Sequence, residues 1–76
     1  MITFNLHVEN LQNYCKDEIE PFLNKTVIGG WRWQVEHREI EIDYGVRRWR
    51  KTIHGIIFFD AAEANFFLLK YPNLIK

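Results

Sequence analysis

The chain has 76 residues, of which 47% are hydrophobic and 16% are aromatic. This length predicts one domain, residues 1–76, and the apolar share excludes intrinsic disorder, which needs few apolar residues and a high net charge. Ten basic and ten acidic side chains balance to zero, so bulk charge gives no attraction to nucleic acid or to a membrane.

The cysteine count and the apolar runs indicate a cellular location. A single cysteine excludes an internal disulfide. The longest apolar run covers residues 56–59, whereas a membrane span needs roughly 20 residues. The first residues lack the charged and apolar stretches of a signal peptide. We therefore expect a reducing cytoplasm and no membrane partner.

The first two predicted elements are a strand and a helix. Apolar and polar residues alternate through residues 2–8, which predicts a strand with one buried face. After Asn10, a plausible N-cap, the apolar residues recur every three or four positions and predict an amphipathic helix. Pro21 predicts that this helix kinks or ends near Glu20. The apolar stripe consists of Leu11, Tyr14, Cys15, Ile19 and Phe22.

The middle of the chain reads as three strands. After Gly29 and Gly30, apolar residues alternate on odd positions through Val35 and on even positions through residues 40–44. That switch predicts a turn at His37 and Arg38 between two antiparallel strands, and Gly45 predicts a second turn. Residues 47–59 follow as one long, bent strand. Gly55 marks a bulge in it, and the apolar run 56–59 indicates cover on both faces.

The last predicted element is a helix that begins at Asp60 and ends at Pro72. Asp60 and Glu63 have the spacing of a capping box. The core stripe is predicted to contain Ala61, Ala64, Phe67, Leu68 and Tyr71. Phe66 and Leu69 lie off this stripe. We expect these two side chains to be covered either by the first helix and the C-terminal residues or by a second copy of the chain. The protein is therefore expected to be a monomer or a homodimer.

The element order β-α-β-β-β-α predicts an α+β fold. Two helices on one face of an antiparallel sheet of about four strands form a two-layer sandwich. The alternative is a ferredoxin-like arrangement in which Leu74 and Ile75 supply a short final strand.

Three elements resemble small uncharacterised proteins of tailed phages. These are Tyr14-Cys15, the strand Trp31-Arg32-Trp33, and Phe58-Phe59 followed by Ala64, Phe67, Leu69, Lys70 and Tyr71. The resemblance covers about half the chain. This chain has Tyr at two positions where the family has Trp, Lys where the family has Arg, and Ala62-Glu63 where the family has an acidic pair. It implies a phage-encoded protein that acts inside an infected cell, in host takeover, and it implies no catalytic activity.

The residues that could carry chemistry favour structural roles. Cys15 lies on the apolar stripe beside Asp17 and Glu18, which do not activate a thiol. The three histidines lack the close spacing of a zinc site. Carboxylates at 36, 39, 41 and 43 alternate with apolar residues as on a solvated strand face. We therefore predict no enzyme activity, no metal and no cofactor.

Charge is distributed unevenly along the neutral chain. Residues 1–43 carry eight acids and four bases, a balance of −4, and residues 44–76 carry six bases and two acids, a balance of +4. The bases concentrate in residues 47–51, and Trp31-Arg32-Trp33 is expected nearby. Arginine beside tryptophan is typical of protein interfaces. The predicted partner-binding residues are Arg32, Trp33, Arg47, Arg48, Trp49, Arg50 and Lys51.

Three interpretations of this basic segment remain open. The first is a protein-binding surface for a host or phage protein. The second is a small nucleic-acid-binding domain that uses residues 47–51 to hold phosphates and stack bases. The third is a salt-bridged sheet face, with Arg48 and Arg50 opposite Glu41 and Asp43.

Overall fold

The fold is α+β, with one antiparallel sheet and two helical segments. The computed structural model describes residues 1–41, 45 and 47–76, and for residues 38–41, 47 and 48 it describes the backbone alone. The strands are β1 (Ile2–Asn5), β2 (Trp31–Glu41) and β3 (Arg47–Phe58). The helical elements are α1 (Gln12–Tyr14), a π-helical turn (Cys15–Ile19), α2 (Glu20–Thr26), α3 (Ala61–Lys70) and a 3₁₀ turn (Pro72–Leu74).

In the described residues the sheet has three strands in the order β1-β3-β2, so the prediction of about four strands is not confirmed. No turn forms at His37 and Arg38, because β2 continues unbroken to Glu41. The prediction rested on the change of apolar residues from odd to even positions, and this change does not mark a turn. Val35 is already 41% exposed, and Glu36 and His37 are exposed after it, so burial does not fix which of these positions are apolar.

The turn between β2 and β3 lies where Gly45 predicts it. Among the described residues, the pair nearest the turn is Glu41 and Arg47. Gly45 has a φ of +80°, a left-handed conformation that glycine adopts without steric cost. The rest of the predicted strand over residues 42–44 lies outside the described residues.

The C-terminal residues pair with the outer edge of β1 without forming a strand. Leu6 and Ile75 form a single antiparallel bridge. The His7 N–H donates to the Leu74 carbonyl over 2.6 Å, and the Lys76 N–H donates to the Asn5 carbonyl over 2.8 Å. The ferredoxin-like alternative requires a short final strand at Leu74 and Ile75, and it is not confirmed, because the described residues supply only this bridge.

Both helical segments pack on one face of the sheet, as predicted. The core lies between them and the sheet. The sheet contributes Ile53, Ile56 and Phe58, the N-terminal helical segment (residues 12–26) contributes Cys15, Ile19 and Leu23, and α3 contributes Ala64 and Phe67. The predicted core residues Ala61 and Leu68 are exposed instead, because only the positions near Ala64 and Phe67 face the sheet.

The N-terminal helical segment differs from the prediction at both ends. Asn10 is not the N-cap, because the helix begins after Leu11, which makes no side-chain cap. The helix does not stop at Glu20 and continues through Pro21 to Thr26. In the π-helical turn, the Glu20 N–H donates to the Cys15 carbonyl five residues back. This wider turn directly precedes proline, which has no N–H to pair.

Only half of the predicted capping box forms at α3. The Asp60 side chain accepts from the Glu63 N–H over 3.0 Å, as an N-cap does. The Glu63 carboxylate instead accepts from the N–H groups of Ile28 and Gly29, over 2.8 and 2.7 Å. A Cβ at Gly29 would lie 2.5 Å from this carboxylate, so the contact requires glycine there. Glu63 thereby fixes the approach to β2 against α3.

The bulge in β3 lies at His54, one residue before the predicted position. Gln34 pairs with Gly55 and Val35 pairs with Ile53, which leaves His54 as the extra residue. The long, bent strand predicted over residues 47–59 is confirmed as β3.

The Gln12 side chain binds the backbone of β3 next to this bulge. Its Oε1 accepts from the Ile53 N–H over 2.8 Å, and its Nε2 donates to the Ile53 carbonyl over 2.9 Å. Nε2 also donates to the Val8 carbonyl over 2.8 Å. The amide thus pairs with Ile53 as a neighbouring strand would, at the point where β1 has ended.

Replacing Gln12 by Ala should lower the free energy of unfolding by about 1–3 kcal/mol, because partly buried backbone groups of Ile53 and Val8 lose their partners. Gln12→Glu should cost a similar amount at pH 7, since a carboxylate cannot donate to either carbonyl. Part of that loss should return below about pH 4, where the carboxyl is protonated. Urea unfolding measures both variants. Asn13→Ala, an exposed neighbour, is the matched control, and equal effects of Gln12→Ala and Asn13→Ala would contradict the role of Gln12.

Candidate functional site

Strands β2 and β3 extend past the core as a two-stranded ribbon. β1 pairs with β3 only between Gly55 and Phe58, and the last buried side chain of β3 before the core ends is Ile53. Residues 36–41 and 47–52 therefore pair with each other outside the two-layer body. We call these two segments the distal ribbon.

The distal ribbon presents an aromatic ring and two cations to solvent. The Trp49 side chain is 71% exposed, and Arg50 and Lys51 are exposed beside it. Neither cation forms a salt bridge with any residue of the described chain. Arg47 and Arg48 belong to the same strand by their backbone. Five of the predicted partner-binding residues thus lie together on β3.

The backbone register does not support the salt-bridged arrangement predicted for this face. Arg48 pairs with Ile40, and Arg50 pairs with Arg38, a residue of the same charge. Arg48 and Arg50 are therefore not opposite Glu41, whose partner is Arg47. Asp43 lies outside the described residues. Because the hairpin turn comes after Glu41 and not at residues 37–38, the acids and bases pair in a different register from the predicted one.

The structure separates Trp31-Arg32-Trp33 from the basic segment. Trp33 pairs with Ile56, seven positions along β3 from Trp49, which at about 3.3 Å per residue is roughly 20 Å. The Trp33 ring is half-buried and makes an edge contact with Trp31 at 5.1 Å. The prediction that the meander brings the two groups together is wrong, since one continuous β2 replaces two short strands.

Arg32 and Trp33 consequently have different surroundings from the other predicted site residues. Trp33 packs against the core, and its buried indole Nε1 has no hydrogen-bond partner in the described chain. Arg32 is exposed and pairs with Ile57. Neither residue belongs to the distal ribbon.

A shallow cleft borders the distal ribbon. It is lined by Arg50 and by residues 9–14, which lead into the N-terminal helical segment. Gln12, whose side chain holds Ile53, is among the lining residues. Glu9 is the acidic residue in this lining.

Sequence reasoning missed Gln12 because its contact depends on tertiary structure. Gln12 and Ile53 are 41 positions apart, and no local spacing rule connects a helical amide with a strand backbone. The signal that could have suggested it is the excess length of β3 over β1, which leaves backbone groups that need another partner.

The groups that could carry chemistry are not assembled into a reactive site in the described residues. Cys15 is fully buried, and this burial raises the pKa of its thiol above the ordinary value. Within residues 1–41, 45 and 47–76, no three histidine, cysteine or acidic side chains are placed to hold a metal ion. The prediction that Cys15 is buried is confirmed, and its structural role stays a prediction.

The outer face of α3 is only partly covered. Phe66 stacks on Phe22 at 6.1 Å, and the Lys70 ammonium lies 4.9 Å above the Phe22 ring. Phe66 nevertheless remains 50% exposed and Leu69 remains 81% exposed. Cover from the first helix therefore forms in part, and a homodimer contact through this face stays a prediction.

Comparisons with known proteins do not assign this chain to a group. No family model, no curated protein and no solved structure matches it. In the described part of the chain, no helix is both long enough and apolar enough to cross a membrane.

Cys15 should react with a thiol reagent only when the protein opens. Burial leaves no access, and the raised thiol pKa keeps the reactive thiolate scarce near pH 8. Labelling with a disulfide reagent should therefore be slow in buffer and rapid in urea. Cys15→Ala should lower the free energy of unfolding by about 1 kcal/mol and leave partner binding unchanged. Native labelling as fast as in urea would contradict this.

Proposed function

We propose that this chain is a non-enzymatic protein-binding domain whose contact surface is residues 47–52, the β3 strand of the distal ribbon. The observation that carries the proposal is the exposure of Trp49 between Arg48 and Arg50 on a strand that leaves the core. Following the resemblance to tailed-phage proteins, we propose a host or phage protein in the host cytoplasm as the partner, with host takeover as the setting.

The exposure of Trp49 favours binding because it leaves a large apolar ring unburied. Trp31 and Trp33 of the same chain pack against the core, whereas Trp49 lies beyond it. Burial of one such ring in a partner pocket contributes more than the charged contacts at an interface rim. Tryptophan and arginine are also the residues most enriched at interface hot spots.

The free cations beside Trp49 indicate an acidic partner surface. Arg50 and Lys51 have no ion pair within the described chain, so they are available for charges on another molecule. The pairing of Arg50 with Arg38 adds a second base at the same level of the ribbon. Complementary charge of this kind mainly accelerates association and selects the partner.

The same pairing of Arg50 with Arg38 supports nucleic-acid binding as a second candidate. The 47–51 segment supplies at most four phosphate contacts and one stacking ring. Four contacts give affinity that falls steeply with salt, by roughly 0.7 to 0.9 log units per log unit of salt for each contact. We therefore rank protein binding above nucleic-acid binding.

Affinity capture from a bacterial extract tests the protein-binding surface. Wild-type protein should retain a defined partner, and Trp49→Ala should lose at least about tenfold in affinity for the purified partner, because the ring is the anchor. Lys51→Ala should lose less, since it removes a rim charge.

Leu69→Ala is the matched control for capture, because Leu69 is also an exposed apolar residue but lies on α3. Equal affinity of wild type and Trp49→Ala would overturn the proposed surface. Loss in Leu69→Ala alone would place the contact on α3.

Fluorescence anisotropy with single- and double-stranded oligonucleotides tests the second candidate. At about 150 mM salt we expect weak or undetectable binding, because few phosphate contacts are available and acidic residues of β2 lie in the same ribbon. Submicromolar affinity at this salt concentration, lost in Arg50→Ala, would reverse the order of the two candidates.

A further inference from the structure

Beyond the bulge, one edge of β3 has no partner strand. β1 covers this edge only from Gly55 to Phe58, and the Leu6 N–H extends the cover to the His54 carbonyl over 2.9 Å. Gln12 then occupies both backbone groups of Ile53. In the described chain, no strand continues along this edge toward Arg47.

The unpaired backbone groups along this edge follow from strand alternation. In an antiparallel pair, successive residues direct their N–H and C=O groups to opposite edges. Ile53 directs both groups toward Gln12, and the register from 47 to 53 has no further shift. Lys51 and Trp49 therefore direct their N–H and C=O groups to the same open edge, while Arg50 and Thr52 bond to β2.

We propose that an extended acidic segment of a partner protein adds to this edge of β3 as a fourth strand, beginning next to Gln12. Its backbone bonds the free groups of Lys51 and Trp49, as strand addition does in peptide recognition. Because successive side chains point to opposite faces of a strand, its carboxylates contact Arg50 on one face, and its apolar side chains pack on the Trp49 ring and along Lys51 on the other. This inference rests on the proposed function, and it specifies that the partner segment is extended and acidic.

The charges along the two unpaired edges differ, and this difference favours binding of an acidic strand at the β3 edge over the β2 edge. The β3 edge carries Trp49, Arg50 and Lys51, all exposed. No described strand pairs with the outer edge of β2 either, but β2 carries exposed Glu36 and, by sequence, Glu39. An acidic strand is repelled there and attracted to β3, although Glu9 in the bordering cleft limits how far its carboxylates extend past Gln12.

The basic side chains also oppose occupation of this edge by a second copy of itself. Lysines and arginines on an open strand are a common protection against edge-to-edge association, since like charges meet when two copies pair. The same charges favour an acidic strand. Pairing with a second copy is therefore disfavoured at this edge, and pairing with an acidic strand is favoured.

The probe for this inference is a fluorescein-labelled peptide of eight residues with alternating glutamate and valine. Fluorescence anisotropy at about 150 mM salt should show a dissociation constant below about 1 mM. The counterpart with lysine in place of glutamate should bind at least about tenfold more weakly, because its charges lie on the face of Arg50 and repel this side chain. Equal binding of the two peptides would overturn the acidic assignment.

Two variants separate the backbone bond from the charge at Lys51. Lys51→Ala removes the charge alone, whereas Lys51→Pro removes the charge and the edge N–H without breaking a bond to β2. We expect Lys51→Pro to bind the glutamate peptide about five- to tenfold more weakly than Lys51→Ala. If Lys51→Pro does not fold, as judged by thermal unfolding, the wild-type protein is tested with N-methylated peptides, which lack alternate N–H groups and should bind less tightly.

The outcomes distinguish this inference from the proposed function. Strand addition would be overturned if Lys51→Pro bound the glutamate peptide as tightly as Lys51→Ala does, or if the N-methylated peptides bound the wild type as tightly as the unmethylated one. Loss of binding in Trp49→Ala would then leave the ribbon as a binding surface. No binding of the glutamate peptide at 1 mM would overturn the inference, while capture through Trp49 still decides the function. Self-association that Lys51→Pro abolishes would assign the edge to a second copy and overturn the acidic partner.

Discussion

The hydrogen bonds between the Gln12 amide and the backbone of Ile53 divide β3 into a buried half and an exposed half. From Gly55 to Phe58 the strand is central, with β1 on one side and β2 on the other. From Arg47 to Thr52 it has β2 alone. A side-chain amide can end the cover of a strand without leaving backbone groups unpaired at the boundary, because it offers the donor and the acceptor that a strand residue would. The bulge at His54 lies at the same boundary and separates the register of the two halves.

This division gives similar residues different roles. Trp31 and Trp33 pair with the buried half of β3 and pack against the core, while Trp49 lies on the exposed half. The apolar run that follows the bulge supplies most of the sheet's contribution to the core. Arg50 and Lys51 precede the bulge, where their ionised side chains remain in water and pay no desolvation penalty. Core and contact surface are thus two consecutive segments of one strand, and the proposed interaction does not compete with folding.

Local patterns in the sequence predict the elements better than their arrangement. The length of β3, the glycine turn at Gly45 and the Asp60 cap follow from strand periodicity, backbone freedom and a side chain three residues from its partner. The turn predicted at residues 37–38 was wrong because the parity rule assumes a buried face, whereas Val35, Glu36 and His37 are exposed. The contacts of Gln12 and Glu63 join residues more than 30 positions apart, so no local rule finds them. The basic segment was recognisable as a candidate surface, but its separation from Trp33 required the true register.

Amide hydrogen exchange in the free protein, followed residue by residue by NMR, tests the open edge most directly. The account predicts alternation along the distal ribbon: the amides of Arg50 and Thr52 exchange at least about tenfold more slowly than their intrinsic rates because they bond to β2, and those of Trp49 and Lys51 exchange close to their intrinsic rates. The Ile53 amide should be protected by Gln12 and should lose that protection in Gln12→Ala. Equal protection of Trp49, Arg50, Lys51 and Thr52 would show that the edge already has a partner within the chain, and would contradict the account.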